Sequence, residues 1–204
     1  MAFGLPHVSY LGYPAPVLCP GHAGLGFREA GPQDAAAIAG HLARLSPEDR
    51  RLRFCATVSD AALAVHAETL LDRAGLVIAA FDGPLWRGPF HRPGPVRALA
   101  ELAVDGREAE IGLSVDGGLR RRGVATCLVR AAAHLLVPRG ARRIHAFTLP
   151  ANAAMIGLGR RSGATIEVAG SDVEIVFDAR TLAAAYLRRR LALPPGLASA
   201  RRAA

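Results

Sequence analysis

The stretch that decides the fold is DGGLRRRGVATCLVRAAAHLLV, residues 116–137. Three consecutive arginines run into a glycine, and an apolar helical pattern follows at once. Leu128, Val129, Ala132, Leu135 and Leu136 fall on one stripe. A helix over 125–137 can therefore pack on a sheet and hold its N-terminus still. The first turn of such a helix leaves backbone N–H groups unpaired, and its dipole favours negative charge there. Cations at that end are electrostatically misplaced unless an anion joins them. Gly123 lets a ligand approach the backbone closely, and Ala125 keeps the first turn narrow. Arg120, Arg121 and Arg122 add guanidinium forks suited to phosphate. Neither the Gly-Lys-Ser/Thr end of a P-loop nor the three-glycine dinucleotide fingerprint is present.

Working outward, the hydrophobic period alternates between strand and helix. Upstream, VRALAELAV (96–104) and EAEIGLSV (108–115) flank a DGR hairpin turn. In the second of these strands Ala109, Ile111, Leu113 and Val115 take one face, while Glu110, Gly112 and Ser114 take the other, non-core face. LVIAAF (76–81) reads as a buried strand, and the Gly- and Pro-punctuated 82–95 as a loop. Helices are expected over 31–45, 46–54 and 59–75. Ser46 and Ser59 serve as N-caps, Pro47 takes the first helical position, and Asp49 stands where a capping carboxylate belongs. Downstream, 142–149 is a strand, 151–163 a helix, ATIEVAG and DVEIVFDA two final strands, and 181–193 a C-terminal helix. The expected class is α/β of the α+β type, a mixed and mostly antiparallel sheet of six to seven strands flanked by helices. Residues 1–23 read as an irregular lead-in, 24–180 as the folded domain, and 181–204 as a helix and Arg-rich tail.

Composition narrows the function classes. The chain has 204 residues, 51% hydrophobic, enough for one domain with a real core. Every basic residue is arginine, and the net charge is +8, which favours an acidic partner. The arginines are scattered and lack aromatic stacking platforms, so no specific nucleic-acid partner is expected. No apolar run reaches the ~20 residues of a membrane span, and no basic leader opens the chain, so neither a membrane partner nor export is expected. Cys19, Cys55 and Cys127, odd in number and far apart, suggest reduced thiols in a cytoplasmic protein. His66, His134 and His145 have no metal-ligand spacing, and no metal is expected.

Arg120-x-x-Gly123-x-Ala125, after a strand and opening a helix, resembles the R/Q-x-x-G-x-G/A acyl-CoA loop of the GNAT superfamily of N-acetyltransferases. The following strand and NAAMIGLGRRSGA continue in that family's order. LSPEDRRLRF, AEIGLSV and NAAM are similar to the acetyltransferase domain of bacterial protein lysine acetyltransferases, over about residues 25–178. The resemblance implies the GNAT fold and acetyl-CoA as acyl donor to an amine, on a protein lysine or a small molecule, by a monomer or homodimer. It implies that the acyl-CoA site draws on Leu113, Ser114 and Val115 of the strand, on Arg120, Arg121, Arg122, Gly123, Val124, Ala125 and Thr126 of the loop and helix, and on Asn152 and Met155. Glu110 resembles the general base of related lysine acetyltransferases, and Glu101 on the preceding strand is the second candidate. Many members carry a tyrosine acid seven residues after the asparagine, where this chain has Gly159. That departure keeps open an alternative, a non-catalytic acyl-CoA-binding regulatory module. The loop 82–95, with Trp86, Phe90 and His91, and the segment 46–60 are expected to shape the acceptor pocket.

Overall fold

The computed structural model describes residues 16–17, 19, 22, 24–83 and 94–191. One sheet runs through them. Its strands are β1 (Pro16–Val17), β2 (Leu25–Glu29), β3 (Leu76–Asp82), β4 (Val96–Asp105), β5 (Glu108–Val115), β6 (Arg143–Thr148), β7 (Thr165–Ala169) and β8 (Asp172–Asp178). The order across the sheet is β1-β2-β3-β4-β5-β6-β8-β7, and only the β5–β6 pair is parallel. The mixed, mostly antiparallel class expected from the sequence is what forms. The eighth strand is the two-residue β1, too short to leave a period in the sequence.

Among the described residues six α-helices pack with the sheet: α1 (Ala35–Ala43), α2 (Pro47–Phe54), α3 (Asp60–Arg73), α4 (Val124–Leu136), α5 (Ala153–Arg161) and α6 (Ala179–Leu191). The apolar run of β3 explains the layering. Leu76, Ile78 and Ala80 enter one core with α4 and α6, while Val77, Ala79 and Phe81 enter another with α1 and α3. A strand buried on both faces reads as an unbroken apolar run rather than an alternating one. The tail helix α6 follows β8 directly, and its Leu182, Ala183 and Tyr186 belong to the main core.

Local signals in the sequence act as expected. Ser46 accepts from the Asp49 N–H, Ser59 accepts from the Ala62 N–H, and Pro47 opens α2. Gly106 adopts φ +56° in the hairpin turn between β4 and β5. One contact escaped sequence reading. Arg28 and Asp34 form a buried bidentate pair, both bonds 2.6 Å, locking the entry to α1 onto β2.

Two expectations are corrected. Cys19 and Cys127 are not separate thiols but a disulfide, with Cα atoms 5.9 Å apart across 108 residues of chain. Their spacing in sequence carried no information about that approach, which sets Cys19 against the first turn of α4. The face of β5 read as non-core is also covered at Gly112 and Ser114, though not at Glu110. Ser114 is buried beneath α1, with its Oγ 2.8 Å from His41 Nε2, and Gly112 lies under the Arg53 side chain of α2. Trp86, Phe90 and His91 lie outside the described residues.

Candidate active site

The site is organised by the place where β5 and β6 part. Their parallel ladder joins Glu108, Ala109 and Glu110 to Arg143, Ile144 and His145, then ends, although β5 runs on to Val115 and β6 to Thr148. The Asp116 N–H donates to the Arg97 carbonyl. Backbone direction alternates along an antiparallel ladder, so the N–H and C=O groups of Gly112 and Ser114 face β4. Those of Leu113 and Val115 face the gap. The Arg120 Nε donates to the Val115 carbonyl at 3.2 Å, from that side.

Beyond the gap lies the arginine loop. Gly123 is the N-cap of α4, with φ +83° and no side-chain cap. That conformation suits glycine, and it leaves the first N–H groups of α4 without a side-chain acceptor. Arg121 also takes a left-handed φ of +58°, a strained state for a residue with a Cβ. Arg120, Arg121, Arg122 and Gly123 are all exposed. The loop is thus an open cradle of backbone donors and guanidinium groups, suited to a diphosphate. Val124 turns into the core, while Ala125 and Thr126 are half-buried. The Ser114 side chain turns away to His41, leaving only its strand position near the gap.

Asn152 stands at the far wall. Its Oδ1 caps α5 through the Met155 N–H at 3.1 Å, and its Nδ2 donates to Thr148 Oγ1 at 2.8 Å. The Leu52 carbonyl of α2 accepts longer bonds from Asn152 and Thr148. Helix α2 is also tied to the loop, through Asp49 and Arg120 at 2.7 Å. It therefore bridges both sides of the gap, a link absent from any local sequence pattern. Gly159 faces β8, and a Cβ there would meet Ile175 Cγ2 at 2.7 Å. A tyrosine at this position does not fit the packing of α5.

The two candidate carboxylates differ sharply. The Glu110 side chain is exposed, and no hydrogen bond or ion pair joins its carboxylate to a described residue. Glu101 is buried, with Oε2 at 2.9 Å from Arg53 Nη2 and 2.8 Å from His66 Nε2. Burial alone would raise its pKa, but the Arg53 charge and the His66 bond outweigh burial and hold it below the usual value. Arg53 stacks on Phe54, with 4.9 Å from guanidinium carbon to ring centre. Further along the same face, His145 sits between Glu108 and Glu174 at 2.8 and 2.7 Å. Burial opposes its charge, yet the two carboxylates raise its pKa. Bonds from Arg143, then His145, bring Glu108 down to about 2. Among the described residues no group of His, Cys, Asp and Glu could hold a metal ion, and no helix is long and apolar enough to cross a membrane.

A family model described as the acetyltransferase (GNAT) family matches residues 52–164. No curated protein sequence matches. Among solved structures, the GNAT domain of S. lividans PAT is 24% identical with TM-score 0.61, over 76% of this chain and 90% of that one. PaiA N-acetyltransferase from Thermoplasma acidophilum, in complex with coenzyme A, is 14% identical with TM-score 0.58, over 76% and 98%. Spermidine N-acetyltransferase from Vibrio cholerae, with CoA and spermine, is 16% identical with TM-score 0.56, over 79% and 99%. At these identities the likeness is one of fold.

Proposed function

The chain belongs to the acetyltransferase (GNAT) family, and from that premise we propose that it moves an acetyl group from acetyl-CoA to an amine, on a protein lysine or a small molecule, with Glu110 as general base. The observation that carries this reading is an exposed, unpaired carboxylate at the point where β5 and β6 separate. An alkyl amine, with a pKa near ~10.4, is almost fully protonated at neutral pH and has no free lone pair. Glu110 takes that proton, directly or through one water. Acetyl-CoA supplies the electrophilic thioester carbon. The gap-facing backbone of Leu113 and Val115 aligns its pantetheine arm, and a backbone N–H there polarises the carbonyl. Arg120, Arg121, Arg122 and the first N–H groups of α4, from Val124 to Thr126, hold the diphosphate. Asn152 and Met155 border the arm on the opposite wall. With Gly159 packed on β8, the CoA thiolate leaves without a tyrosine acid. Glu101 plays no direct part in this scheme, because its charge is already engaged by Arg53 and His66.

The test is Glu110→Gln, assayed by CoA-thiol release with a panel of amines and lysine-bearing proteins from pH 6 to 9. The expected outcome is a fall in kcat of about 100-fold or more, with thermal stability unchanged. Unaltered turnover across that range removes Glu110 from the role of base.

A further inference from the structure

The end of β5 carries an arrangement that the acyl-transfer scheme leaves unused. On the face under α1, Ser114 Oγ lies 2.8 Å from His41 Nε2, and His41 Nδ1 lies 2.9 Å from Asp116 Oδ1. Serine, histidine and aspartate in that order make up a hydrolase triad. Here they do not act as one. His41 is fully buried and Ser114 is 7% exposed, so no substrate reaches the hydroxyl. The chemistry of the ring still fixes the bonding. A lone pair on Nδ1 would face the Asp116 carboxylate, so Nδ1 carries the proton. That contact is off the straight line of a hydrogen bond and acts through charge. Burial disfavours a second proton and outweighs the pull of Asp116, so the His41 pKa is lowered. The neutral ring accepts at Nε2, and the Ser114 hydroxyl donates.

Strand geometry decides what this ring grips. Ser114 and Asp116 flank Val115. The N–H of Val115 belongs to the planar peptide unit shared with Ser114, and its C=O to the unit shared with Asp116. Both groups face the gap, and the carbonyl accepts from Arg120 Nε. Holding residues 114 and 116 on one rigid imidazole therefore sets the direction of both groups. Support is needed at this point. The last β5–β6 pair is Glu110 with His145, so from Ile111 to Val115 the strand has β4 on one side and the gap on the other. Asp116 also ties the strand end to its surroundings. Its N–H donates to the Arg97 carbonyl, and its Oδ2 lies 2.9 Å from Arg97 Nε and 3.4 Å from Arg44 Nη2. An apolar side chain at 41 would fill the same space without directing either peptide unit.

We propose that His41 is a positioning residue for the acyl-CoA arm: by clamping Ser114 and Asp116 it fixes the gap-facing N–H and C=O of Val115, against which the pantetheine lies. The proposal rests on the acyl-CoA reading of the gap. His41 touches neither donor nor acceptor and acts through the strand.

Ser114→Ala and His41→Gln, each in the full chain, test it. Ser114→Ala removes a single oxygen and keeps the test open if His41→Gln does not fold. Calorimetry with CoA, kinetics with acetyl-CoA and an amine that the parent accepts, and amide hydrogen exchange are the measurements. Each variant is expected to bind CoA about tenfold more weakly, the effect of one misdirected backbone hydrogen bond. The KM for acetyl-CoA rises to match, while the KM for the amine does not move. The Asp116 amide exchanges faster relative to that of Ile78 in β3. Because one ring makes both grips, the double variant binds CoA no more weakly than His41→Gln alone. A merely structural His41 gives another pattern: a lower melting temperature, with CoA affinity and both KM values unchanged in the folded protein. That pattern, or additive losses of affinity in the double variant, overturns the proposal. Failure of the parent to bind CoA breaks the acyl-CoA reading instead. Exchange then decides the clamp alone: an Asp116 rate that neither variant changes overturns it, and a faster one keeps His41 as the support of this strand end.

Discussion

Glu101 and Glu110 stand on neighbouring strands and share one face of the sheet, since Glu101 pairs with Gly112 and Ala103 with Glu110 in the β4–β5 register. Two residues along that face separate a locked carboxylate from a free one. Over Glu101 the helices α2 and α3 close, bringing Arg53 and His66. Over Glu110 they do not. The difference teaches that charge near the gap is divided by coverage: the covered glutamate is spent on ion pairs, and the uncovered one keeps its carboxylate unengaged.

The strongest way to break this division is Glu101→Ala. It leaves the Arg53 guanidinium in a half-closed site without its counter-charge, and the expected loss is about 3–5 kcal/mol of stability in urea unfolding. Turnover per folded molecule should stay within a few-fold of the parent. A loss of kcat comparable with that of Glu110→Gln would assign Glu101 to the chemistry.

A smaller effect is expected from Gly112→Ala. The new methyl would occupy the space of the Arg53 guanidinium, which is pinned by Glu101 and Phe54 and must move. About 1–2 kcal/mol should be lost, by overpacking and weakening of the pair. In an Arg53→Ala background the same change should cost almost nothing, and a double-mutant cycle measures that coupling. Additive losses would mean that the guanidinium is not what Gly112 accommodates.

The smallest expected effect is on the pH dependence of stability. Glu101 has a folded pKa below its ordinary 4.5. Its contribution to stability is therefore complete above 4.5 and disappears as the pH falls through the lowered folded value. Urea unfolding from about pH 6 to pH 3 should show a loss that is reduced in Glu101→Gln. A slope that this substitution leaves unchanged would contradict the assignment.

Much of the architecture was legible from local patterns. The Ser46 and Ser59 caps, the 105–107 turn, the unbroken apolar run of β3 and the stripe of α4 each depend on residues a few positions apart, and each formed. The cradle at Gly123 was legible for the same reason, because a strand, a glycine and a helix start lie within one short segment. Other features depend on contacts between distant residues. Nothing near Arg53 signals that Glu101, 48 residues on, will receive its charge across the sheet face, or that Gly112 must be bare beneath it. The glycine at 159 read as a missing acid, whereas its packing against Ile175 gives a steric reason for it. His145, which showed only the lack of metal-ligand spacing, is held by two carboxylates from β5 and β8, which become neighbours only once β6 lies between them.

By itself, then, the sequence determined the elements and the meeting of three arginines and a glycine with a helix start, because hydrogen bonding and hydrophobic periodicity act over a turn or a strand. Tertiary structure alone decided which carboxylate is free, which arginine is spent, and that Cys127 meets Cys19. Those outcomes turn on burial and on charges brought within a few ångströms by the folding of distant segments, and neither quantity is written in the local order of residues.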